Sequence, residues 1–100
     1  MNYQQNLGEA PNNDSIEITL TSTSGLKLVL LLQKNTKFSE MIRKYMDRIL
    51  LPFKHIEVED LIFIYNAQKI DPFSNEPISS KFKNYSVNVT VIDKNNIIGL

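Results

Sequence analysis

A single switch of periodicity constrains the fold of this chain more than any other feature. From Ile16 to Gln33 apolar side chains recur at every second residue, and from Phe38 to Leu50 they recur at helical spacing. Ile16, Ile18 and Leu20 alternate with Glu17, Thr19 and Thr21, the signature of a half-buried strand. Thr21 to Gly25 reads as a turn, with Gly25 free to take a positive φ. Leu26, Leu28, Leu30 and Leu32 then alternate with Lys27, Val29, Leu31 and Gln33, which completes a hairpin. Phe38, Met41, Ile42, Tyr45, Met46, Ile49 and Leu50 follow on one helical stripe, and Lys37, Glu40, Arg43, Lys44, Asp47 and Arg48 cover the other side. Thr36 is the expected N-cap and Pro52 the expected stop.

The remainder supplies fewer elements. Residues 51–60 read as a connection, Leu61–Tyr65 as a nearly continuous apolar strand, and Asn66–Lys69 as a turn. Residues 71–84, with Pro72 and Pro77, are expected to be irregular with short helical turns, and Val87, Val89 and Val91 mark a last strand. One helix with one apolar stripe, and strands with one apolar face, hide most surface when the helix crosses a small mixed sheet. The expected class is therefore α+β, a β-grasp with a mixed four-stranded sheet and one main helix. The domain is expected over 16–92, between a flexible N-terminal tail (1–15) and a C-terminal tail (93–100).

Composition removes whole classes of function. One hundred residues make one domain. Eleven Lys and Arg balance eleven Asp and Glu, so the chain lacks the basic excess of a nucleic-acid binder. With no cysteine there is no thiolate metal site and no thiol nucleophile. The longest apolar run, Leu28–Leu32, is too short for a membrane span, and no basic residue precedes Lys27, which argues against a cleaved presequence. The expected location is intracellular, cytoplasm or nucleus. His55 is the only histidine, and Glu57, Glu59 and Asp60 fall in the connection, so neither makes a triad, a metal site or a paired-carboxylate site. The three glycines stand apart at 8, 25 and 99, which leaves no phosphate-cradling loop. No cofactor, metal, small-molecule substrate or enzymatic activity is expected.

The run Ile16–Leu20 with Ser24-Gly25, the stretch Lys34–Arg48, and Leu61–Ile70 together resemble the small ubiquitin-like modifier (SUMO) family. Lys34-Asn35-Thr36-Lys37-Phe38-Ser39-Glu40-Met41-Ile42-Arg43-Lys44-Tyr45-Met46-Asp47-Arg48 is similar to the family's basic–x–Thr–Pro–Leu–Ser–x–Leu–Met–x–x–Tyr–x–x–Arg segment. Glu76-Pro77 and Val87-Asn88-Val89 extend the likeness loosely, to about residues 16–92. The family conjugates through a C-terminal Gly-Gly. Here the last residues are Asn95-Asn96-Ile97-Ile98-Gly99-Leu100, with Ile98 where the first glycine belongs, and Ala67 replaces a turn glycine. A non-conjugated interaction module, a small subunit or adaptor in a larger assembly, is the expectation. The alternative is a modifier conjugated through Gly99 after loss of Leu100.

Two surfaces are candidate sites. The resemblance implies that the second and third strands form opposite edges and that Val29, Leu31, Ile62 and Ile64 lie on the sheet face the helix leaves open. Each such side chain forgoes about 1.5–3 kcal/mol by staying wet, so several on one face point to a protein interface, unless residues 71–84 or 93–100 fold over them. The resemblance also implies a groove between the second strand and the helix where an extended peptide adds as a strand, at positions including Leu31, Gln33, Asn35 and Arg43. The plainer reading of that edge is a solvent-covered strand.

Overall fold

The computed structural model describes residues 14–50, 56–95 and 98. The elements are β1 (Ser15–Ser22), β2 (Lys27–Gln33), α1 (Phe38–Leu50), β3 (Leu61–Tyr65), β4 (Gln68–Ile70) and β5 (Ser86–Asp93), with short 3-10 turns at Val58–Asp60 and Ile78–Ser80. They form one five-stranded sheet in the order β2-β1-β5-β3-β4. β1 runs antiparallel to β2 and parallel to β5, and β3 runs antiparallel to both β5 and β4. This is an α+β β-grasp.

The sheet has one strand more than the four expected. Asn66 and Ala67 both take positive φ, 56° and 67°, as a tight primed hairpin turn demands. The chain therefore reverses in two residues, and Gln68, Lys69 and Ile70 pair back onto Tyr65, Ile64 and Phe63. β4 becomes the outer strand, and β3 lies inside the sheet rather than at its edge.

The core lies between α1 and one face of the sheet. Ile16, Ile18, Leu20, Leu30, Leu32, Phe63, Val87, Val89 and Val91 meet Phe38, Met41, Ile42, Tyr45 and Ile49 there, all buried. The Tyr45 and Phe63 rings join edge to face at 5.6 Å. Residues 71–84 pack on this side too. Ile78 and Phe82 are buried, and the Phe82 ring meets Phe38 at 5.4 Å and Tyr65 at 4.7 Å.

That segment also starts the helix. The Phe38 and Ser39 N–H groups donate to the carbonyls of Glu76 and Ser74 (both 3.0 Å), while Glu40 accepts from the Lys37 N–H (3.2 Å). These partners satisfy the orphan donors of the first turn, so Thr36 is not the cap. Its own carbonyl receives the Ile78 N–H instead. Pro52 and His55 lie outside the described residues, as do residues 1–13 of the tail expected over 1–15.

The boundaries shift at both ends. β1 begins at Ser15, one residue inside the expected tail. β5 runs through Asp93, whose buried carboxylate accepts from the Ser24 hydroxyl (2.8 Å) and from the Ile98 N–H (2.6 Å). Ile98 is fully buried as part of the core cluster. The same carboxylate, secondary to burial itself, helps push the Tyr45 hydroxyl pKa up to about 12. No helix among the described residues is long and apolar enough to cross a membrane.

Candidate functional site

Pairing register fixes which side chains share the open face, because directly opposed residues point the same way. Leu31 is opposite Glu17, which is opposite Ser86; Val29 is opposite Thr19, which is opposite Asn88. Across the sheet, Ile64 is opposite Thr90 and Lys69, and Ile62 is opposite Ile92. All four expected aliphatics thus lie on the face turned away from α1. They do not form one patch. β1 and β5 separate the two pairs, three strand spacings or about 14 Å, and present Glu17, Thr19, Thr21, Ser86, Asn88 and Thr90 between them.

The two pairs also differ in exposure. Val29 and Leu31 are 48% and 60% exposed, whereas Ile62 and Ile64 are half-buried. Among the described residues, neither segment considered as a cover is placed over the β2 pair. Residues 71–84 pack through Ile78 and Phe82 into the helix-side core, and Ile98 joins that core from beyond Asp93.

β2 is an edge strand, and its ladder shows which backbone groups remain open. The Ser22 N–H donates to Leu26 (2.8 Å) and the Lys34 N–H to Asp14 (2.6 Å), which sets the phase of the β1–β2 pairing. Even-numbered residues of β2 bond inward, so Lys27, Val29, Leu31 and Gln33 turn their N–H and C=O groups outward. Gln33 is exposed, and its side-chain amide reaches across to the Ser15 hydroxyl at 3.5 Å. Asn35 is exposed in the turn that follows.

Beside this edge a groove of about 300 Å³ is lined by Leu30, Leu31 and Leu32 and by Lys44, Asp47 and Arg48. Arg43 is not among them. It projects from the opposite flank of α1, into a cleft of about 420 Å³ with Ile42, Met46, Ile56, Val58 and Phe73. Successive helical residues are about 100° apart, which carries Arg43 round the helix and leaves Lys44 and Arg48 as the cations next to β2.

Two exposed aromatics escape sequence reading. Phe73 is 67% exposed, and the Asp71 carboxylate accepts its backbone N–H (2.9 Å). Tyr85 is 56% exposed with the Lys34 ammonium 5.5 Å from its ring centre. The Asp71-Pro72 turn was the only signal for the first, and nothing local marks the second. Among the described residues no group of three or more His, Asp or Glu stands ready to hold a metal.

No family model and no curated protein matches the chain. Solved structures do match. One, described as molecular mimicry of SUMO that promotes DNA repair, is 18% identical over 80% of this chain and 92% of its own, with a TM-score of 0.60. The chain has a SUMO-like, ubiquitin-like fold. The ubiquitin of Caldiarchaeum subterraneum superposes with a TM-score of 0.64 at 13% identity, covering 80% of this chain and 94% of that one. A designed protein based on ubiquitin gives 0.61 at 19% identity, covering 80% and 89%. At these identities the likeness is one of fold. In this ubiquitin-like domain the open face and the β2 edge meet at Val29 and Leu31.

Proposed function

We propose that this ubiquitin-like domain is a non-conjugated protein-interaction module, a small subunit or adaptor of a larger assembly. It docks an extended apolar segment of a partner protein along β2 and the adjoining open face. Val29 and Leu31, 48% and 60% exposed on a strand that no described strand pairs on its outer side, carry this reading. An added strand would satisfy those groups while covering both side chains. Leu31, Gln33 and Asn35 line its path, with Lys44 and Arg48 beside it in place of Arg43. Ile62 and Ile64, about 14 Å away, form a second, weaker contact.

The placement of Ile98 supports the non-conjugated role. Its side chain is buried in the core and its N–H is held by Asp93, so this part of the chain is not free to enter a conjugating enzyme. The docking chemistry asks no catalytic residue, cofactor, nucleic acid or membrane of the chain, and it suits the cytoplasm or nucleus.

The test is native copurification of the wild-type chain and of Leu31→Asp, each sized under mild conditions. The wild type is expected in a particle larger than itself, and the variant as the free folded domain. Lysines carrying a remnant of this C-terminus, detected by mass spectrometry, would instead establish the modifier conjugated through Gly99. Equal particles for both chains would remove β2 from the interface.

A further inference from the structure

The β2 edge has a property beyond its openness: its sequence reads nearly the same in both directions about Leu30. Val29 and Leu31 flank it, then Leu28 and Leu32, then Lys27 and Gln33. An antiparallel partner strand runs in the reverse direction, so a strand of this kind is complementary to itself. We propose that the chain associates with a second copy of itself through antiparallel β2–β2 pairing centred on Leu30, giving one continuous sheet across two domains. This rests on the docking reading of the same edge and names its partner as the chain itself.

Several features favour a second copy over an unrelated strand. In the Leu30-centred register every row from residue 28 to 32 sets an apolar side chain against an apolar one. Val29 of each copy lies against Leu31 of the other, so the two exposed aliphatics cover one another twice. Lys27 falls opposite Gln33, which keeps the two ammonium groups at opposite ends of the junction. The outward N–H and C=O groups of Val29 and Leu31 then form hydrogen-bonded pairs with those of the second copy, since all belong to odd-numbered residues. A slip of one residue would turn the open-face side chains to the helix side. A slip of two sets Leu31 against Lys27 or Val29 against Gln33.

The edge also lacks the devices that discourage such pairing. The β1–β2 register is unbroken from Ser15–Gln33 to Thr21–Lys27, so no bulge twists β2 away. There is no proline in the strand, and its one charge is at the first residue. The contact is two-fold and closes on itself, which gives a dimer and no fibre. A junction of one strand per copy is smaller than a stable standard-size interface, so association is weak, with dissociation expected between about 10 μM and 1 mM.

Sedimentation of the purified full chain across that range is expected to move from monomer to dimer. Register is then read by disulfide trapping, which the absence of native cysteine makes clean. Val29→Cys and Leu31→Cys are both surface substitutions that spare the core. In the proposed register a Cys at 29 faces a Cys at 31 of the other copy at about 5.5 Å between Cα atoms, within disulfide reach. Under mild oxidation an equimolar mixture should yield at least tenfold more covalent dimer than either variant alone. A chain that stays monomeric throughout overturns the proposal. So does trapping that is equal for the single variants and the mixture. Both are measured without any other protein, so self-pairing can fail here while copurification still decides the docking role.

Discussion

The two faces of the sheet are drawn from the same strands, and they treat aliphatic side chains in opposite ways. Toward α1, Ile16, Ile18, Leu20, Leu30, Val89 and Val91 are almost entirely buried. On the other side of the same backbone, Val29 and Leu31 stand largely in water, and threonine, asparagine and serine occupy the middle strands. Burial on the first face scales with area removed from water and holds the domain together. Exposure on the second adds nothing to folding and becomes favourable only when another chain covers it. Equal hydrophobicity in the sequence therefore serves stability on one face and association on the other.

The largest break in that comparison is on the helix side. Phe63→Ala removes the ring packed against Tyr45 and should cost about 3–5 kcal/mol, enough to unfold a domain of this size, as read by urea denaturation. Ile64→Asp, one residue along and on the open face, should cost about 1 kcal/mol and leave a cooperative transition. A larger loss for Ile64→Asp than for Phe63→Ala would reverse the assignment of faces.

Tyr45 sharpens the comparison from within the core. Its hydroxyl is buried without a hydrogen-bond partner, so Tyr45→Phe should gain about 1 kcal/mol. Burial, with Asp93 adding to it, raises the hydroxyl pKa from 10.0 to about 12. The folded state holds this proton more tightly than the unfolded chain. That contribution is complete below pH 10 and is lost as pH rises from 10 to about 12. Tyr45→Phe should remove this part of the alkaline destabilisation. The smallest effect belongs to the turn: Ala67→Gly relieves a positive φ and should add about 0.5 kcal/mol, after the entropy glycine gains in the unfolded chain.

Much of this architecture was legible because the period changes cleanly. Ile16–Gln33 and Phe38–Leu50 fix a hairpin and a helix, and their apolar faces leave one economical packing. β4 was not legible, since Gln68-Lys69-Ile70 is too short to show alternation and Ala67 hides a turn that glycine would have announced. Local sequence points to Thr36 as the helix cap because it cannot reveal that Ser74 and Glu76 return to supply carbonyls. The resemblance, with side-chain alternation, puts Val29, Leu31, Ile62 and Ile64 on the open face. Their separation into two pairs depends on strand order, which alternation does not encode. The resemblance puts Arg43 in the β2 groove, whereas its place in the helical turn carries it to the opposite flank of α1 and leaves Lys44 and Arg48 there.

Amide hydrogen exchange along β2 tests the central claim most directly. It compares the free domain, at a concentration where it is monomeric, with the domain in its native assembly. In the free domain the Val29, Leu31 and Gln33 amides are expected to exchange quickly and those of Leu30 and Leu32 slowly. In the assembly the first three should become protected while the other two change little. Protection of the odd-numbered amides already in the monomer, or an assembly that leaves them open, would contradict the docking role of this edge.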